Sequence, residues 1–200
     1  MLDGFVRPLI DPPFDHMARW LAARHVSADS LTWLGLAIGL AVVPTIVAER
    51  YLTGLLLILA NRLLDGFDGA VARQTTPTDR GAYLDVVGDF LFYSAMVFAF
   101  ALARPGNATA AAFLIFSFVG TGSSFLAFAA IAAKRSLTTM ARGSKSIYYL
   151  GGLTEGTETI IAFAVFCLAP GSFSPAALVF GVLCWMTTIS RIAIALRTFV

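Results

Sequence analysis

Long apolar runs alternate with short polar breaks along the whole chain. A bilayer-spanning helix needs about 20 mostly apolar residues. Six segments have that length: Leu31–Ala48, Tyr51–Arg73, Gly81–Ala103, Ala108–Ala133, Ile147–Leu168 and Pro175–Leu196. The first, fourth and sixth are almost free of charge, whereas the second, third and fifth carry charged residues within apolar flanks. Ahead of them, "PFDHMARWLAAR" places Phe14, Met17, Ala18 and Leu21 on one helical face, with Asp15, Arg19 and Arg24 away from it. That pattern predicts an amphipathic helix lying in the membrane interface, with Trp20 near the headgroups. His16 and His25 fall in this polar region and read as solvated side chains. No repeat or long linker interrupts the series. The expectation is one all-α polytopic membrane domain over residues 1–200: a juxtamembrane segment at 1–29, then six transmembrane helices over 30–197.

Composition agrees with that pattern. The 200 residues are 58% hydrophobic and only 13% charged, with mean hydropathy +0.81. A soluble domain carries about 25% charged residues, so a water-facing surface is excluded. A net charge of +2 gives no argument for nucleic acid. Cys167 and Cys184 lie in apolar stretches without metal-ligand spacing and read as buried apolar residues. The polar N-terminus with Pro12-Pro13 does not read as a secretory signal. With the N-terminus inside, Arg7, Arg19, Arg24, Arg73, Arg80, Lys134, Arg135, Arg142, Lys145 and Arg197 are cytoplasmic, leaving Arg50 and Arg104 outside. This asymmetry predicts both termini, and the Arg73–Gly81 loop, on the cytoplasmic side of an inner membrane.

Four aspartates break the apolar pattern. Asp65 and Asp68 are three apart and Asp85 and Asp89 four apart, so each pair shares a helix face. The second span descends toward the loop and the third rises from it. At about 1.5 Å per residue, all four lie roughly 6–12 Å below the loop, so the pairs meet at one depth. An ionised aspartate at a membrane helix centre costs about 2.5–3.5 kcal/mol, and four together repel one another. A salt-bridge network with Arg62 and Arg73 leaves two charges uncompensated. Clustered carboxylates suit two divalent ions, Mg²⁺ or Mn²⁺. Gly66 and Gly69 flank the first pair, and Gly81 and Gly88 share a stripe with the second, leaving room for a backbone or a ligand. Thr78 or Asp79 caps the third span, whose free N–H groups and positive dipole end face the site. Metals, Arg73 and a helix N-terminus together describe a receptor for a diphosphate.

The run "DGFDGAVARQTTPTDRGAYLDVVGD" resembles the signature of the CDP-alcohol phosphotransferase family, Asp-x-x-Asp-Gly-x-x-Ala-Arg, a short loop, then Gly-x-x-x-Asp-x-x-x-Asp. Asp65, Asp68, Gly69, Ala72, Arg73, Gly81, Asp85 and Asp89 fill its places. The loop is one residue shorter than the family spacing. "SADSLTWLGL" is similar to the family's lead into its first helix, with Ala28 and Asp29 replacing its first two residues. The resemblance implies transfer of a phospho-alcohol group from a CDP-alcohol to a hydroxyl, releasing CMP, in phospholipid synthesis. It implies CDP-diacylglycerol as donor, metal ligation by Asp65, Asp68, Asp85 and Asp89, and Asp89 as the base. Nucleotide contacts would come from Asp29, Thr32, Gly69, Ala72, Arg73, Thr78 and Gly81. It also implies a homodimer.

The acceptor is less defined by sequence. Lys134, Arg142, Lys145 and Arg191 are cationic groups for an acceptor phosphate. "GGLTEGTETI" resembles the Glu-Arg-x-x-Glu-Arg segment of members using inositol phosphate, but Gly156 and Thr159 stand where the arginines would be. Glu155 and Glu158 share a face and either pair with basic residues or receive an amine such as that of serine or choline. Two further readings remain: an aminoalcohol phosphotransferase with a lipid acceptor, and a cation transporter with an intramembrane carboxylate site. The transporter does not require Gly69, Ala72 and Arg73 at fixed offsets.

Overall fold

A computed structural model of the chain describes residues 3–137 and 152–199, with side chains from Pro12 onward. Among the described residues every regular element is helical: α1 (Asp3–Ala23), α2 (Ala28–Leu40), α3 (Val42–Val47), α4 (Tyr51–Gln74), α5 (Asp79–Ala103), α6 (Ala108–Lys134), α7 (Gly156–Leu168) and α8 (Phe173–Thr198). Single 3-10 turns lead into α6 and α8 at Pro105–Asn107 and Pro170–Ser172. The protein is an all-α polytopic membrane protein.

The first span is broken into α2 and α3. Pro44 has no N–H to offer the Leu40 carbonyl, and its ring crowds that oxygen. The helix therefore interrupts at Ala41 (φ −65°, ψ −13°) before resuming. The stretches Ala28–Val47, Asp79–Ala103, Pro105–Lys134 and Pro170–Thr198 are long and apolar enough to cross a bilayer by composition alone. α4 carries Arg62, Asp65 and Asp68 and meets the bilayer by orientation. Leu52, Leu56, Leu59 and Leu63 form an exposed stripe along it, while its polar groups turn inward.

The fifth expected span, Ile147–Leu168, starts outside the described residues, and its residues 152–155 are not helical. α7 starts only at Gly156. Glu155 is its N-cap, and Glu155 and Glu158 form a reciprocal capping box. Four backbone N–H groups at a helix start need partners, and these carboxylates satisfy some of them. Thr154 is anchored to α8, its N–H and hydroxyl lying 3.1 and 2.9 Å from Thr187 Oγ1. Non-helical backbone at membrane depth is tolerated where it is buried in protein or lines a cavity; here Thr154 is buried, and Thr154 and Glu155 line a cavity.

α1 is longer than the amphipathic stretch predicted. It packs on α4 through Phe14, Ala18 and Leu21. Met17, expected on the same face, is exposed because the buried stripe is narrow and centred on Ala18. α2 lies against both α4 and α5, α6 against α5 and α8, and α7 against α4 and α8. The main core gathers the C-terminal part of α5, the start of α8 and the middle of α7. Phe92, Phe100, Phe163, Phe166 and Phe173 are wholly enclosed there, and Phe100 stacks on Phe173 at 4.5 Å. The start of α5, the start of α7 and the later part of α8 remain for polar groups.

Candidate active site

Two helices bring the aspartates together as their spacing predicts. Oxygens of Asp65, Asp68 and Asp85 all lie within 4.8 Å of one another. Asp68 is the most enclosed, and Oδ2 accepts a 2.6 Å hydrogen bond from the Thr32 hydroxyl of α2. Three carboxylates at this spacing, partly shielded from water, are a fitting donor set for a hard divalent cation such as Mg²⁺ or Mn²⁺. Asp89 stands apart from this triad. Its Oδ1 accepts a 2.8 Å hydrogen bond from Arg62 Nη1, and the same nitrogen lies 3.6 Å from Asp65 Oδ2. All four aspartates, with Thr32, Gly35, Asn61, Arg62 and Gly88, line one small central cavity. A Cβ added at Gly88 would meet nothing within 4 Å, so the absent side chain there leaves open space.

A larger cavity of about 500 Å³ opens on one side of the triad. Asp29, Thr32, Gly69, Ala72, Thr78 and Gly81, six of the seven expected nucleotide-contacting residues, line it beside Asp68 and Asp85. Thr78, not Asp79, caps α5, its hydroxyl accepting from the Gly81 N–H at 3.0 Å. The free N–H groups of that first turn, with the positive helix end, therefore border the cavity. Arg73, the seventh residue, does not line it: its Nη2 lies 3.1 Å from Asp15 Oδ1 of α1, with Nη1 beside Gly69. The docking of α1 on α4 brings that carboxylate to it. His25, read from sequence as merely solvated, lines the same cavity at a left-handed turn (φ 58°) between α1 and α2.

A second cavity, about 270 Å³, lies on the other side of Asp85 and Asp89. α5, α6, α7, α8 and the segment before α7 contribute Tyr93, Thr121, Gly122, Thr154, Glu155, Thr159 and Arg191. Arg191 is 8% exposed and donates from Nη1 to the Thr121 carbonyl at 3.0 Å. Glu155 lines the cavity as well as capping α7, whereas Glu158 turns back to accept from the Glu155 N–H at 3.1 Å. Lys134 is exposed at the end of α6. Arg142 and Lys145 lie outside the described residues. The arrangement is thus two cavities that share Asp85, with Asp68 lining the first and Asp89 the second: one floored by a helix N-terminus, the other containing a buried guanidinium.

Sequence reasoning set Arg62 among the aspartates only as part of a salt-bridge network, and Arg62 does pair with Asp89 and Asp65; it missed Asn61, whose backbone partner is on another helix. It also missed Thr154 and Thr187, whose contact forms only between the segment before α7 and α8. The readable signal for Asn61 was the polar dipeptide it forms with Arg62, set inside an apolar run.

A family model for CDP-alcohol phosphatidyltransferase matches residues 25–192. The inner membrane protein YnjF of Escherichia coli strain K12 is 50% identical over 193 residues, covering 96% of this chain and 94% of YnjF. Two crystal structures of Mycobacterium tuberculosis phosphatidylinositol phosphate synthase, PgsA1, share the fold. The one with CDP-DAG bound has a TM-score of 0.66 at 19% identity, covering 91% of this chain and 92% of that one. The one in complex with manganese and citrate has a TM-score of 0.70 at 20% identity, covering 91% and 88%. With the signature aspartates converging in space and the family model spanning nearly all of the helical bundle, the chain belongs to the CDP-alcohol phosphatidyltransferase family.

Proposed function

We propose that the protein transfers a phosphatidyl group from CDP-diacylglycerol to the hydroxyl of a small polar alcohol, releasing CMP. The observation that carries this reading is the small central cavity lined by all four aspartates, from which Asp68 and Asp85 reach one larger cavity and Asp85 and Asp89 reach another of different character. The larger has backbone N–H groups suited to a diphosphate; the other has polar side chains suited to a hydrophilic alcohol. The PgsA1 neighbour crystallised with CDP-DAG supports the donor, and its manganese complex supports a divalent metal.

Asp65, Asp68 and Asp85 would hold one cation, and Asp89 would join them around a second. Two such ions supply charge neutralisation for the phosphoryl oxygens and the leaving group. The remaining work belongs to the chain. The first turn of α5 and the Thr78–Gly81 cap orient the diphosphate, Gly69 lets backbone approach the nucleotide, and the lipid tails stay in the bilayer. The acceptor enters the smaller cavity, where Arg191 and Glu155 fix its polar groups. Asp89 takes the proton from the acceptor hydroxyl as that oxygen bonds to the phosphatidyl phosphorus. The bond from that phosphorus to the CMP oxygen breaks, and CMP leaves. By the distribution of Lys and Arg, the site opens to the cytoplasm; the working unit is a homodimer.

Purified protein supplied with CDP-diacylglycerol and a panel of serine, choline, inositol, inositol phosphate and glycerol 3-phosphate tests the reaction. One acceptor should give CMP and a new phospholipid in equal amounts. Product only from a CDP-aminoalcohol and diacylglycerol would instead establish the reverse assignment of donor and acceptor. Binding or movement of cations without CMP release from either donor would favour a transporter.

A further inference from the structure

Arg62 lies inside the polar cluster but outside the family signature, and its surroundings fix it unusually well. The Asn61 amide nitrogen donates to the Gly35 carbonyl of α2 at 2.8 Å, which directs the amide oxygen toward Arg62. That oxygen accepts from Arg62 Nε at 2.8 Å and from Nη2 at 2.6 Å. The guanidinium carbon lies 4.7 Å from the Phe92 ring centroid and 5.5 Å from that of Tyr93. The Nε–Nη2 edge of the fork and its contact with the two rings are thereby fixed before Asp89 is considered. The remaining direction, along Nη1, meets Asp89 Oδ1 at 2.8 Å, with the Tyr93 hydroxyl at 3.4 Å.

We propose that Arg62 is a positioning residue for Asp89: it holds Oδ1 so that the carboxylate stays at the boundary between the central and acceptor cavities and presents Oδ2 to the reaction. The proposal rests on the reading of Asp89 as the base. A carboxylate on α5 alone can rotate about two side-chain bonds, and three neighbouring aspartates would push it away from them. The guanidinium removes that freedom and offsets the repulsion without itself touching substrate. Lysine cannot reproduce this, because a single ammonium does not grip an amide oxygen and a carboxylate in one plane.

The test compares Arg62→Gln, Arg62→Lys, Asp89→Asn and the Arg62→Gln/Asp89→Asn double variant. Steady-state kinetics are paired with Mn²⁺ titration by electron paramagnetic resonance. Loss of an outer-shell partner typically costs about 10–100-fold. Arg62→Gln should lose that much in kcat, while KM for the donor changes by less than about 3-fold. Arg62→Lys should recover part of the loss. The double variant should be no slower than Asp89→Asn, because Arg62 acts through Asp89. Mn²⁺ should bind Arg62→Gln as tightly as the parent, or more tightly, since a cation near Asp65 has gone. Parental kcat in Arg62→Gln, multiplicative losses in the double variant, or lost Mn²⁺ binding would each overturn the positioning role. If Arg62→Gln does not fold, parental kcat in Arg62→Lys would do the same. Parental turnover in Asp89→Asn would instead overturn the assignment of the base.

Discussion

Asp68 depends on a hydroxyl from another helix: Thr32 belongs to α2, and their bond joins residues 36 apart. Thr32→Val keeps the shape of the side chain and removes that donor. A hydrogen bond to a charged group contributes about 1.5–3 kcal/mol. The variant should fold but bind Mn²⁺ about 10-fold more weakly, the lower end of typical outer-shell losses. Unchanged Mn²⁺ affinity would show that Thr32 serves the nucleotide cavity alone. The aspartates themselves were legible because helix periodicity converts spacing into a shared face. The direction of Arg73 was not, since it is set by Asp15, 58 residues earlier and on a different helix. Glu155 and Glu158 were seen as a pair, and the structure uses their three-residue spacing first to cap α7.

Small residues along the helices have opposite roles that spacing alone does not separate. A Cβ at Gly39 would come 2.9 Å from both Asn61 Nδ2 and Phe92 Cδ2, so the glycine permits close packing of α2 on its neighbours. Gly88 borders empty space. Gly39→Ala should lower the thermal midpoint of the purified protein. Gly88→Ala should leave it unchanged or raise it, because alanine is favoured over glycine in a helix by up to about 1 kcal/mol. Its methyl group nevertheless enters the central cavity, so turnover should fall. Normal turnover in Gly88→Ala would show that the cavity is not used. At the other end of the bundle, the turns after α3 and α5 are joined by Arg104, which lies 2.9 Å from Glu49 Oε1 and 3.0 Å from Oε2. Its hydrogen bonds hold the Glu49 carboxyl below its usual range. A depressed folded-state value means that this tie is present above the unfolded pKa and lost as pH falls through the folded one. Glu49→Gln should therefore flatten the acid side of a thermal-stability profile. An unchanged profile would make the pair energetically silent, as exposed pairs often are.

For the whole bundle, hydropathy made the succession of spans readable, and the basic residues gave an orientation. The interruption at Ala41 and the non-helical segment before α7 were not read from hydropathy, which averages over the local signals at Pro44 and Gly151-Gly152. Single-cysteine labelling at Gly171 and Thr76 tests the orientation: the first should react from outside intact cells and the second only after permeabilisation. External labelling at Thr76 would invert the topology. The central claim is that one side of the aspartates holds the donor and the other receives the acceptor, with Asp89 between them. It is tested most directly by measuring CDP-diacylglycerol binding and single-turnover CMP release for Asp89→Asn beside Asp65→Asn, with Mn²⁺ present. A lost general base costs ~10²–10⁴ in rate. Asp89→Asn should lose at least that much while still binding the donor, whereas Asp65→Asn should lose donor binding and turnover together. Near-parental CMP release by Asp89→Asn would contradict the account.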